Sequence, residues 1–248
     1  MKIEKSRQFK EFFDFVDSDR EINFLVLHHV EADSATHAIE KFVEHKVSSH
    51  FLIDEAGVIF NLVEENNIAY HAGFSFWKGC DGLNKNSIGI EFINASAFSK
   101  KFTMAQMRAG VELCRYLVAK YNIEMGNVVG HSDIAYYPSD KKLDRKQDPS
   151  HMFDWKFFAE NNIGIYPKKT LPESMDKALF KLGDQYAHIE SIKKDLAKFG
   201  YRVSNFNNEF DSEMQALVRV FHRRFNQGKF NSDPDVWYLS SQVALDSL

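Results

Sequence analysis

Up to about residue 166 the chain alternates short apolar runs with stretches of helical period, and beyond residue 174 only the helical period remains. That change limits the architectures open to it. Strands interleaved with helices predict a three-layer α/β unit, a mixed central sheet flanked by helices, and the tail predicts a small three-helix all-α domain. Between them "YPKKTLPES" (166–174) holds two of the five prolines and reads as a linker. The expected domains are therefore 1–166 and 175–248, joined by a linker at 167–174.

"NFLVLHHV" (23–30) is a buried strand that ends on histidines, and "SIGIEFIN" (87–94) is another, whose Gly89 signals close approach of a neighbour. "SHFLIDEAGVIFNLV" (49–63) reads as a hairpin broken at Glu55-Ala56-Gly57, and "NVVGHSDI" (127–134) as a short strand leaving into a loop. "DSATHAIEKFVEHK" (33–46) is helical, with Ala38, Phe42 and Val43 on its apolar stripe. The clearest helix is 102–123. Thr103 and Gln106 fit a capping box, and Val111, Cys114, Leu117, Val118 and Tyr121 mark one face. Asp154 caps a short helix over 154–162. In the tail, Leu179, Leu182, Tyr186, Ile189, Ile192, Leu196 and Phe199 form one stripe, stopped by Gly200. Met214, Leu217, Val218, Phe221 and Phe225 form a second. Asp233-Pro234 then opens a third helix, with Val236, Leu239 and Val243 inward.

Net charge is −4 and no basic stripe interrupts either half, which excludes nucleic acid as partner. Two cysteines, Cys80 and Cys114, are too few for a disulfide scaffold and lack a paired metal-ligand spacing. No stretch approaches the ~20 apolar residues of a membrane span, and the first twenty residues hold no apolar core of signal-peptide length.

Eight of the ten histidines fall within residues 28–151. His28 ends one strand and His131 follows another, so both reach the rim of the sheet, where α/β folds place their sites. With Asp148 they make a three-ligand set that leaves a fourth position for water, the arrangement of catalytic zinc. In "RKQDP" Lys146 and Asp148 stand two positions apart, and Pro149 biases Asp148 toward an extended conformation in which both side chains face one side.

The segments "VLHHVEAD", "VSSHFLID", "AYHAGFSFWKG", "LNKNSIGIEFIN", "NVVGHSDIA" and "DRKQDP" occur in this order. Together they resemble the zinc-dependent N-acetylmuramoyl-L-alanine amidases of the type 2 family, in its AmpD/AmiD branch, over about residues 22–167. The tail resembles the peptidoglycan-binding-like domain that follows such catalytic domains. Phage and animal relatives commonly carry cysteine as third ligand, where this chain has Asp148.

The resemblance implies one zinc ion per chain on His28, His131 and Asp148. It implies Glu91 as catalytic acid/base and Lys146 as the group facing the developing oxyanion. It further implies substrate contacts at His71, Trp77 and Asn84, a hydrogen-bonding role behind the metal for His50, and a structural role or a peripheral contact for His29. The reaction implied is hydrolysis of the bond between N-acetylmuramic acid and L-alanine, in peptidoglycan or muropeptides, with the 1,6-anhydro sugar left open. The alternative is a non-catalytic peptidoglycan-recognition protein. The tail favours work in the periplasm or cell envelope, whereas the missing export signal favours the cytoplasm.

Overall fold

Six strands make the main sheet, in the spatial order Ile3–Lys5, Ile59–Asn61, Phe51–Ile53, Ser87–Ile93, Phe24–Val30 and Val128–Gly130. The computed structural model describes residues 3–5, 12–16 and 20–248, so the N-terminal stretch read for a signal core lies partly outside the described residues. Neighbouring strands are parallel except Phe51–Ile53 and Ile59–Asn61, which form the expected hairpin. Its turn is set locally. The Asp54 carboxylate accepts from the amides of Ala56 at 3.0 Å and Val58 at 2.8 Å, and Gly57 takes φ +83°, a conformation L side chains rarely adopt.

The central pair runs in parallel register from Phe24 opposite Ser87 to Val30 opposite Ile93. Side chains alternate between faces along a strand, so Phe92 and Ile93 point to opposite sides of the sheet. On the Ile93 side, helix Ala35–His45 lays Ala38 and Phe42 against Val30, Leu52 and Ile93. Ser34 caps that helix by accepting from the His37 amide. On the Phe92 side lies helix Met104–Tyr121, begun by the Thr103/Gln106 capping box. A Cβ on its Gly110 would stand 2.7 Å from Phe92 and 2.9 Å from Phe158, so the bare glycine is what lets helix, strand and the helix Trp155–Glu160 close together. Cys114 is buried on the same helix, and burial pushes its thiol well up, out of reactive range. Each large side chain fully buried here stabilises the fold by roughly 1.5–3 kcal/mol.

By its internal packing the chain divides into two units. The sheet belongs to the first, made of Met1–Gly73, Gly82–His131 and Asp148–Gly164. The second gathers Phe74–Asp81, Ser132–Gln147 and Ile165–Leu248. It holds helices Ala187–Phe199, Ser212–Phe225, Gln227–Ser232 and Leu239–Leu245, with a two-stranded antiparallel sheet of Ala178–Phe180 and Trp237–Tyr238. The tail, expected as three helices and all-α, thus has four helices and a small sheet, and two further expectations change. Leu179 lies in that sheet, and Leu182 and Tyr186 are 54% and 56% exposed, so the first tail helix starts at Ala187 and buries only Ile189, Ile192, Lys193 and Leu196. The last helix starts at Leu239 rather than after Pro234, because Trp237–Tyr238 are taken by the strand pairing, and it buries Ser241, Ala244 and Leu245.

The buried cations Lys193, Arg223 and Arg224 of this unit each face a carboxylate, as burial of charge requires. The Arg224 guanidinium donates to the Asp133 carboxylate at 2.5 Å, and the Tyr201 hydroxyl donates to the same carboxylate at 3.2 Å. Burial, reinforced by Asp133, pushes the Tyr201 hydroxyl well above its ordinary pKa. Among the described residues no helix is long and apolar enough to cross a membrane.

A candidate metal centre

His28 is the fifth residue of its strand and stands in register opposite Glu91. Paired residues of neighbouring strands share a face, so both side chains project to the same side of the sheet. His131 comes directly after the strand Val128–Gly130. These placements and the loop carrying Asp148 bring three ligand atoms together. His28 Nδ1 lies 3.1 Å from His131 Nδ1 and 3.0 Å from Asp148 Oδ2, and His131 Nδ1 lies 3.1 Å from that same oxygen. His28 and His131 are buried, and the Asp148 side chain is 15% exposed.

Hydrogen bonds behind the trio determine which ring nitrogens carry protons. His131 Nε2 is 3.1 Å from the Ala72 carbonyl, which can only accept, so Nε2 holds the proton and Nδ1 the lone pair. Three groups behind His28 set its tautomer in the same way. The Ser87 hydroxyl donates its one proton to the Leu83 carbonyl at 2.6 Å. Its oxygen, 3.2 Å from His71 Nε2, must therefore accept from that nitrogen, which leaves His71 Nδ1 as an acceptor. His71 Nδ1 is 3.1 Å from His28 Nε2 and accepts from it, so the His28 proton sits on Nε2. Two imidazole lone pairs and a carboxylate oxygen thus converge on one point. Three such acceptors at 3.0–3.1 Å repel one another unless a cation stands between them, and a set of two nitrogens and one oxygen suits zinc. Burial, then the neighbouring His28, His50 and His131, keep His71 neutral by holding its pKa well below the usual histidine value.

The other residues expected at the site fall differently. Glu91 is half-buried on the His28 face, with Oε2 sealed from solvent. Lys146 is exposed and belongs to the second unit. His71, expected as a substrate contact, is 8% exposed and turned inward, bonded to His28 and Ser87. Asn84 is likewise engaged inward, its carbonyl accepting from the amides of His71 at 3.1 Å and Ala72 at 2.7 Å. Trp77 offers no surface at all. It is 0% exposed, packed edge-on against Phe199 and Tyr201, and a Cβ on Gly200 would come within 2.7 Å of its ring. Its expected role in ligand binding is therefore corrected to core packing within the second unit.

His50 accepts from the Gly89 amide at Nδ1 and donates from Nε2 to the Asn67 carbonyl, with the Arg20 guanidinium beside that nitrogen, rather than bonding a member of the trio, and its ring centroid lies 5.6 Å from that of His71. Burial, with Arg20 next, lowers its pKa to about 3. His29, one step along the strand from His28, turns to the opposite face beside Phe98 and Phe102. Two supporting residues escaped sequence reasoning. Arg20 donates to the carbonyls of Glu65, Asn84, Lys85 and Ser87, tying down the loop behind His71. Burial lowers its pKa to about 10. Ser87 stands within the quoted "LNKNSIGIEFIN", where a serine opening a strand had no mark of its own.

The sequence profile described as N-acetylmuramoyl-L-alanine amidase matches residues 18–151. The chain is 30% identical over 232 residues to the N-acetylmuramoyl-L-alanine amidase AmiD of Escherichia coli strain K12, covering 86% of this chain and 78% of that protein. It is 36% identical over 113 residues to the 1,6-anhydro-N-acetylmuramyl-L-alanine amidase AmpD of Salmonella typhimurium, covering 46% of this chain and 56% of that one. The solved structure of E. coli AmiD with anhydro-N-acetylmuramic acid-L-Ala-D-gamma-Glu-L-Lys superposes with a TM-score of 0.74 at 28% identity, over 98% of this chain and 91% of the other.

Proposed function

The chain belongs to the N-acetylmuramoyl-L-alanine amidase family, and from that membership we infer that it hydrolyses the amide bond between N-acetylmuramic acid and L-alanine, using one zinc ion per chain. The observation that carries the metal is the convergence of His28 Nδ1, His131 Nδ1 and Asp148 Oδ2 within 3.1 Å, with both histidine protons directed away. When bound, zinc would polarise a carbonyl and lower the pKa of a water to about 7.

The chain's own residues supply the rest. In the hydrolysis a water oxygen bonds to the lactyl carbonyl carbon, the bond to the alanine nitrogen breaks, and that nitrogen leaves protonated. Glu91 takes the proton from the water and hands it to the nitrogen. Its register opposite His28 supports this assignment. Lys146 donates to the oxygen that gains negative charge, a contribution worth roughly 10²–10³ in rate for one such donor. Its position two residues before Asp148 supports this role. The named relatives act on muramyl-L-alanine and on its 1,6-anhydro form, and we propose both as substrates here. The similarity to AmiD runs along the tail as well, and we propose the periplasm or cell envelope as the place of action, with the cytoplasm as the alternative.

The test is metal analysis of the purified protein, paired with turnover of a muramoyl-tripeptide before and after chelation. The expected result is one zinc per chain, with activity lost on chelation and restored by added zinc. Metal-free protein that still binds muropeptides without cleaving them would make this chain a recognition protein.

A further inference from the structure

We propose that His71 is a positioning residue that holds His28 in its Nδ1-ligating form, and that Gly89 exists to house its ring. The proposal rests on the metal reading above and adds to it a determinant in this chain. An imidazole has two tautomers of similar energy, and only one of them leaves Nδ1 of His28 able to bind a cation. A carbonyl or carboxylate behind a ligand histidine makes that choice directly, because it can only accept. Here the group behind His28 is another imidazole, which can point its own proton either way. The choice is therefore passed back to Ser87, and from Ser87 to the Leu83 carbonyl, which cannot donate. The direction of the whole relay is set at Leu83, three bonds away from the ligand.

The relay needs the His71 ring to sit against the bare backbone of Gly89, in the layer occupied by His28 and Glu91. A Cβ on Gly89 would meet His71 Cγ at 2.5 Å and both Cδ2 and Nδ1 at 2.8 Å, so any side chain at that position expels the ring. Asn84 fixes the His71 backbone from the other end by accepting from its amide. Ring, backbone and proton direction are thus each held by a separate contact.

The experiment measures zinc affinity by competition with a chromophoric chelator, on the full chain, for wild type, His71→Phe and His71→Asn. Phenylalanine keeps the ring but has no acceptor, whereas the asparagine carbonyl oxygen can take the place of Nδ1. Loss of a group supporting a metal ligand weakens metal binding roughly 10- to 100-fold. His71→Phe is expected to show that loss and His71→Asn to recover most of it. Equal affinity for His71→Phe and wild type overturns the proposal, because it would make the ring a space-filler, and so does His71→Asn as weak as His71→Phe, because a restored acceptor would then not restore the site. Long-range proton–nitrogen NMR of the zinc-loaded wild type provides a test that needs no variant. The expected spectrum has the His71 proton on Nε2, and a proton on Nδ1 overturns the relay. Wild type that takes up no zinc defeats the metal reading itself, a result distinct from any of these.

Discussion

Replacing Gly89 by alanine isolates the steric half of this arrangement. The new methyl would lie 2.5 Å from His71 Cγ, where ordinary contact begins near 3.4 Å, so the ring must retreat by about 0.9 Å. The strand cannot yield instead, since Gly89 is paired with Val26 on one side and its amide donates to His50 Nδ1 at 3.0 Å. The His71 hydrogen bonds are 3.1 and 3.2 Å long and fail beyond about 3.5 Å, so a shift of that size breaks at least one. Gly89 is not among the residues of positive φ, so alanine brings no backbone strain of its own. Overpacking a core in this way costs about 1–3 kcal/mol. The loss in zinc affinity should be roughly 10- to 100-fold, or about 1.4–2.7 kcal/mol. Gly228→Ala, where an added methyl meets nothing within 4 Å, is the control. Chemical denaturation of the metal-free proteins and competitive zinc titration give the two numbers. If Gly89→Ala matched the control in both, the account of His71 as a ring wedged over a bare glycine would be refuted.

Other perturbations separate the remaining roles. Glu91→Gln should lower muramoyl-tripeptide turnover by roughly 10²–10⁴ while leaving the zinc content unchanged, and retained turnover would remove Glu91 from the proton path. Trp77→Ala should destabilise by roughly 3–5 kcal/mol in urea denaturation without changing the KM of the folded enzyme; a raised KM would return Trp77 to the ligand. Burial lowers His222 to about 4, so the unfolded chain binds its proton first as pH falls from 6.5. Its contribution is complete above pH 6.5 and is lost as the pH drops toward 4, by about 3 kcal/mol in all. The wild-type stability curve should therefore fall more steeply than that of His222→Asn across this window, and parallel curves would contradict the assignment.

What could be read in advance was what is local. The Thr103/Gln106 box, the Asp154 cap and the stop at Gly200 are decided by residues within a turn of one another, and each stands where its spacing puts it. Gly89 announced a close neighbour but not which one, because His71 arrives from another part of the chain. Trp77 misled for the same reason. An indole in a loop rich in aromatics looks like a ligand platform, and its burial depends on Phe199, Gly200 and Tyr201, more than a hundred residues on. In the tail, Leu179 and Leu182 extended a genuine helical spacing backward into a strand and a turn, since three- and four-residue steps carry no mark of where the helix begins. The trio was legible because its three residues sit in recognisable segments. The relay behind it was not, because a serine hydroxyl and a peptide carbonyl have no signature in sequence.

The make-up of the second unit bears on how this enzyme can be taken apart. Its core is sewn from three stretches, so that Trp77 and Asp133 rest on Tyr201 and Arg224 although the chain order assigns them to the front half. A cut in the proline-bearing linker would not release a finished module. It would leave an indole facing water and a buried carboxylate stripped of its cation on one fragment, with the matching aromatic face and guanidinium stranded on the other. Any graft of this tail onto another amidase must carry Phe74–Asp81 and Ser132–Gln147 with it, as one transplant written in three places.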